Sequence, residues 1–308
     1  LSRSLTLGVA VMVITVSLWR RRWVWLGIAL LPMCDFLFGA LSGILLLLQW
    51  RDKRLWWPGV ALWLVSAVLA GCSVRPAADM IAAIEPNWIV ADFAGYVGRS
   101  GLLLLPLQWG SVTPQWNGEA PLLLGGALGI AFFMFASTQL RGDRLAQFLF
   151  WGFVGLTLIF SLVIYPLASR HLMLIALLLI LLVWRDAARG QKPSAGFRAW
   201  LLVSSGCGLF VAAWSFVVPF DAAEAASREI VQRGLTGKHW MVFPDSRAQG
   251  VSALTGIEFE RTEARCMQSF IRWNFRSNIK NPGQLTAYLR HEIATRGRFY
   301  LLSDLPLA

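Results

Sequence analysis

The residues most able to do chemistry are those that pair an ionisable side chain with apolar neighbours, and this 308-residue chain has few of them. A charge at membrane depth is costly and needs a reason to be there. Asp35 follows Pro32 at a break in an apolar run. Three roles suit it: a general base, a metal ligand, or the cap of the helix that begins after it. Arg170 and His171 stand together just before another apolar run. Such an arginine could clamp a phosphate through two N–H donors, and such a histidine could shuttle a proton. Anchoring at the membrane interface is the alternative for the pair. The segment 73–118 holds Arg75, Asp79, Glu85, Asp92 and Arg99. Carboxylates paired there could hold a divalent cation, or all five could be solvated loop charges. Later in the chain, Pro244-Asp245-Ser246-Arg247 reads as a strand-to-helix turn, which makes Asp245 and Arg247 candidates. Open α/β sheets bind ligands at such turns, although a simple helix start needs the same residues.

Other chemistry lacks its residues. Cys34, Cys72, Cys207 and Cys266 form no CxxC pair, and no Cys/His group has zinc spacing. The first three lie within or beside apolar blocks and read as packing thiols. The sequence contains no P-loop, HExxH or nucleophile elbow. It also lacks GxGxxG, so no dinucleotide site is supported. Apart from a possible divalent cation, no cofactor is evident.

The elements that must position these residues are apolar. Hydrophobic residues make up 56% of the chain and charged residues 15%, and the mean hydropathy is +0.58. That balance excludes a water-soluble globule and a disordered chain. Eight apolar blocks lie at roughly 5–19, 23–34, 36–50, 55–72, 119–139, 145–166, 171–184 and 199–219. They predict an α-helical polytopic bundle of about eight short transmembrane helices over residues 1–219. The formal charge of +11 is explained by where the charges sit. Loops at Arg20–Arg22, Arg51–Arg54, Arg141–Arg144 and Arg185–Arg198 hold twelve Lys/Arg and three acids. The opposite segments before the tail hold four basic and five acidic residues. By the positive-inside rule the basic loops face the cytoplasm, while Leu1, the loop 73–118 and the tail lie outside. The basic excess therefore orients helices, and nucleic acid is not expected as a partner. Tryptophans such as Trp19, Trp23, Trp50, Trp56, Trp57 and Trp184 sit at block ends, where indoles favour the headgroup layer. The chain starts at Leu1 with no Met and no signal-peptide n-region, so more protein is expected upstream.

Within 73–118, AADMIAAIE at 77–85 has amphipathic helical character. NWIVADFAGYVG and GLLLLPLQW follow it, and neither is long enough to span. An interfacial helix with a partly buried loop is expected, acting either as a functional loop or as a lid packed on the bundle.

Composition shifts at Phe220. The 89-residue tail carries twelve basic and nine acidic residues and no apolar span. Residues 221–233 read as a helix that Asp221 starts and Gly234 stops. Strands are expected at 239–243, in IEFERTE, at 265–273 and at 298–304, and helices after Pro244 and from Pro282 to Arg296. The order predicts a small extracytoplasmic α/β domain at 220–308, Rossmann-like, in two or three layers.

The segments YPLASRHLMLIALLLILLVW (165–184), CDFLFGALSGILLLLQW (34–50), VFPDSRAQGVSALTGIEF and MQSFIRWN (267–274), with the general layout, resemble the C-terminal half of bacterial GT-C type polytopic glycosyltransferases of an uncharacterised subgroup. The resemblance implies a multi-pass protein of the bacterial cytoplasmic (inner) membrane that transfers a sugar from a polyprenyl-phosphate donor at the outer face. It also implies that Arg170 and His171 meet the donor phosphate, with Asp35 next in rank. The family's catalytic carboxylate lies in a first outer loop that no residue here matches, so no base is carried over. Two other functions remain open. One is a non-catalytic membrane subunit that docks a protein partner through residues 220–308. The other is a transporter, against which the scarcity of charges inside the spans argues.

Overall fold

The computed structural model describes residues 2–73, 86–106, 122–163, 167–217, 222–244, 248–262, 266–268 and 282–303. The described residues fall into two compact units, a helical one up to residue 217 and an α/β one from residue 222.

In the helical unit every apolar block forms a helix. The first four are α1 (Ser2–Ser17), α2 (Val24–Leu30, prolonged by a 3-10 turn Leu31–Met33), α3 (Phe36–Arg51) and α4 (Trp57–Ser73). After α5 (Pro86–Ser100) come α6 (Leu122–Gln139), α7 (Arg144–Val163), α8 (Ser169–Ala187) and α9 (Ala195–Val217). Helices and spans are different counts, however. Among the described residues three stretches are both long and apolar enough to cross a membrane: Leu122–Gln139, Arg144–Val163 and Ala195–Trp214. Leu5–Ser17, Val24–Met33, Phe36–Arg51 and Trp57–Ser73 are apolar but shorter. A 16-residue helix reaches only ~24 Å, less than the ~30 Å of a hydrocarbon core. The 19-residue α8 carries Arg170 near its start and Arg185 and Asp186 near its end. Large apolar side chains stay exposed along α4, α6, α7 and α9, among them Leu64, Ile130, Phe148, Leu202 and Phe216. Water-soluble surfaces rarely tolerate so much exposed apolar area, whereas lipid does not penalise it. The chain is a membrane protein.

The middle of the segment 73–118 departs from the expected loop. Asn87 to Gly98 lies within α5, a bundle helix that packs on α6 and α7. The Tyr96 hydroxyl is buried and meets Thr157 Oγ1 at 3.0 Å. Close helix approach explains the composition. A Cβ on Gly101 would sit 2.7 Å from the Gly125 Cα, and one on Gly125 would strike the Gly98 carbonyl oxygen. Glycines here let two backbones touch. The amphipathic stretch 77–85 lies outside the described residues.

Helix α8 is the most enclosed element, with Leu172, Ile175, Leu178, Leu179 and Leu182 buried. It packs against α3, α5 and α7. Side-chain oxygens start its neighbours. Asp35 caps α3 by accepting from the Leu37 N–H at 3.0 Å. Asp143 accepts from the Ala146 N–H of α7 at 3.0 Å, and Ser194 accepts from the Phe197 N–H of α9 at 3.0 Å. Each satisfies a donor that the first helical turn leaves orphaned.

The α/β unit contains α10 (Ala223–Gln232), β1 (Trp240–Phe243), α11 (Ala248–Thr255), β2 (Phe259–Arg261), β3 (Cys266–Gln268), α12 (Pro282–Arg296) and β4 (Tyr300–Ser303). The strand order is β3-β2-β1-β4. Strand β1 pairs in parallel with β2 and with β4, and β3 joins β2 antiparallel. Alternation along β1 builds two cores. Trp240 and Val242 pack with Ile230, Val251 and Phe259 under α10 and α11, while Phe243 packs with Leu285 and Leu289 of α12. Helices on both faces make this the three-layer form. Gly234 and Gly256 follow α10 and α11 with φ of +65° and +72°, the left-handed stop that glycine adopts without a Cβ clash.

Candidate functional site

Two polar clusters occupy opposite ends of α3 and α8. Both helices start at one end, because Arg51 and Asp52 at the finish of α3 share partners with Arg185 at the finish of α8. The two clusters are therefore separated by roughly the ~24 Å length of α3.

The starting end brings Asp35, Arg170 and His171 together. Asp35 is the α3 cap, and Arg170 and His171 lie in the first turn of α8. Arg170 and Asp35 are both near enough to act electrostatically on the His171 imidazole. The His171 Nδ1 is buried and has no hydrogen-bond partner among the described residues. A buried ring nitrogen without a partner is costly unless a ligand or water completes it. The positive ends of both helix dipoles lie in this region, which favours negative charge there. Phe36 stacks on Phe160 at 4.7 Å between ring centroids, giving the end an apolar wall. The arrangement can hold an anionic group and pass a proton through the imidazole.

The finishing end is an ion network. Arg51 Nη1 donates to both oxygens of Asp143, at 2.5 and 2.6 Å. Arg185 donates to Asp143 and to Asp52, each at 3.2 Å, and Arg189 also donates to Asp52. The Trp19 indole donates to Asp52 at 3.2 Å. Burial disfavours ionisation of Asp143, but hydrogen bonds from Arg51, Ala146 N–H and Arg185 outweigh it and hold the carboxyl at about 2. Sequence reading treated these arginines as orienting charges only. The overlooked signal was the acids, since Asp52, Asp143 and Asp186 each stand singly in a loop that is otherwise basic.

Asp35, Arg170 and His171 are the sequence candidates that the described residues bring to this pair of ends. Arg75, Asp79, Asp245 and Arg247 lie outside the described residues. Asp92 belongs to α5, but its side chain is outside the described part. Arg99 is buried at the end of α5. No group of three His, Cys, Asp or Glu converges among the described residues. Set against protein-family models, curated proteins and solved structures, the chain matches none.

Proposed function

We propose that the chain is the donor-binding part of a GT-C-like membrane glycosyltransferase, with Arg170 and His171 receiving the phosphate of a polyprenyl-phosphate-linked sugar. The observation carrying this reading is the convergence of Asp35, Arg170 and His171, with an unpartnered His171 Nδ1, at the start of two apolar helices. The resemblance of segments such as 165–184 to the superfamily agrees with it. In this reading all eight apolar helices lie in a bacterial cytoplasmic membrane, the basic loops face the cytoplasm and the α/β unit lies outside. During transfer the acceptor oxygen would attack the anomeric carbon while the bond from that carbon to the phosphate oxygen breaks. The leaving phosphate gains charge, which Arg170 and the two helix starts are placed to stabilise. His171 is placed to donate a hydrogen bond to the phosphate, with the Asp35 carboxylate near enough to act on the ring electrostatically. The base that takes the acceptor proton is assigned to none of the described residues.

The test uses the protein in nanodiscs, with polyprenyl phosphate detected by native mass spectrometry and sugar transfer measured from a panel of polyprenyl-phosphate sugars. Arg170→Ala and His171→Ala are expected to weaken lipid-phosphate binding at least tenfold and to abolish transfer, with membrane insertion unchanged. Unaltered binding in both variants would remove this pair from the site.

A further inference from the structure

The finishing end of α3 and α8 holds a cavity that the proposed transfer does not use. Its volume is about 190 Å³, and its walls include Trp19, Arg20, Asp52, Arg54, Arg185 and Arg189. That is room for a phosphate group and some of its waters, each water's share being ~30 Å³. Four arginines line it with one aspartate, and although Asp143 and Asp186 also pair with Arg185 and Arg189, Arg20 and Arg54 keep the recess net positive. Two of the four have donors to spare. Arg185 is only 3% exposed and its Nε has no hydrogen-bond partner among the described residues. Arg54 makes no ion pair among the described residues. Arg20 fixes one wall by donating to the Ala188 carbonyl at 2.7 Å. A planar donor fork repeated around a recess is suited to phosphate oxygens.

The neighbouring aromatics indicate the source of that phosphate. Trp23, Trp50, Trp56 and Trp57 are exposed at the start of α2, the finish of α3 and the start of α4, around the same cluster of loops. Exposed indoles mark the headgroup level of a bilayer, and arginines there attract anionic lipid. We infer that this cavity is a specific binding site for the phosphate of an anionic lipid headgroup, separate from the Asp35–His171 end. The bound phosphate would answer the spare donors of Arg54 and join the loops that the ion network already holds.

The probe is phosphatidic acid, whose headgroup is a bare phosphate, presented to the full chain in phosphatidylcholine nanodiscs and counted by native mass spectrometry. One retained lipid per chain is expected, with retention about tenfold weaker in Arg20→Gln/Arg54→Gln and unchanged in Arg21→Gln/Arg22→Gln, which removes equal charge outside the cavity. Arg54→Gln alone breaks no described ion pair and should weaken retention in the same direction, which covers any misfolding of the double variant. Equal losses in the two double variants would mean diffuse surface charge and would overturn the site. Inorganic phosphate that binds as tightly as the lipid, and displaces it, would overturn the lipid assignment in favour of a soluble phosphate ester.

Discussion

Asp143 shows how one carboxylate can serve three elements. It caps α7, receives Arg51 from the finish of α3 and receives Arg185 from α8. Its carboxyl lies at about 2, below the ordinary value, so the charged form is favoured by the fold. A depressed carboxyl stabilises the folded chain above the unfolded value near ~4, and that contribution disappears as pH falls towards 2. The shift corresponds to a stabilisation on the order of 2 kcal/mol at neutral pH. Thermal unfolding in detergent should therefore show Asp143→Asn with a lower Tm than the parent at pH 7, and the two should converge as the pH approaches 2. Parallel curves over that range would show that Asp143 carries no such linkage.

At the scale of elements, the α5–α6 contact is set by backbone rather than side chain. Gly125 has the Gly98 backbone where a Cβ would stand, whereas Gly152 and Gly155 of α7 face open space. Gly125→Leu should push α5 from α6 and cost at least 1–3 kcal/mol, read as a fall in Tm and in monodisperse yield, with Gly152→Leu close to the parent. Equal behaviour of the two variants would show the packing to be looser than described. The same contact marks a limit of sequence reading. Blocks such as 36–50 and 55–72 were legible because their apolar residues are continuous and their ends are marked by Asp35, Arg51 and Trp57. Helix α5 was not, because the close approach of Gly101 to Gly125 that ties it to α6 shows only once the two backbones are seen together. In the α/β unit, Gly234, Gly256 and the short apolar run Trp240–Phe243 ending at Pro244 made nearly every element readable. The face that each helix takes was open because it depends on crossover direction. Of the candidate site, the Arg170-His171 pair was visible as charge beside an apolar run. Its proximity to Asp35 was not, since 135 residues of chain separate Asp35 from Arg170.

The whole molecule is organised by charge asymmetry. Arginines of four loops lie at one end of the helices, and three of those loops meet in the Asp52–Asp143 network. If those loops face the cytoplasm, a cysteine-free chain carrying Lys238→Cys should react in intact cells with a membrane-impermeant maleimide, and one carrying Arg21→Cys should react only after lysis. The reverse pattern would invert the topology and place Asp35 and His171 on the cytoplasmic side. The orientation is thus a property of the loops together, and no single helix determines it.

The network also has a mechanical consequence. Arg51, Asp52, Asp143, Arg185 and Arg189 knot the finishes of α3 and α8 to the start of α7. Any splaying of α3 from α8 would therefore have its pivot at that knot. The far tips, where Asp35 and His171 stand, sweep the widest arc, much as tongs open at the end away from the rivet.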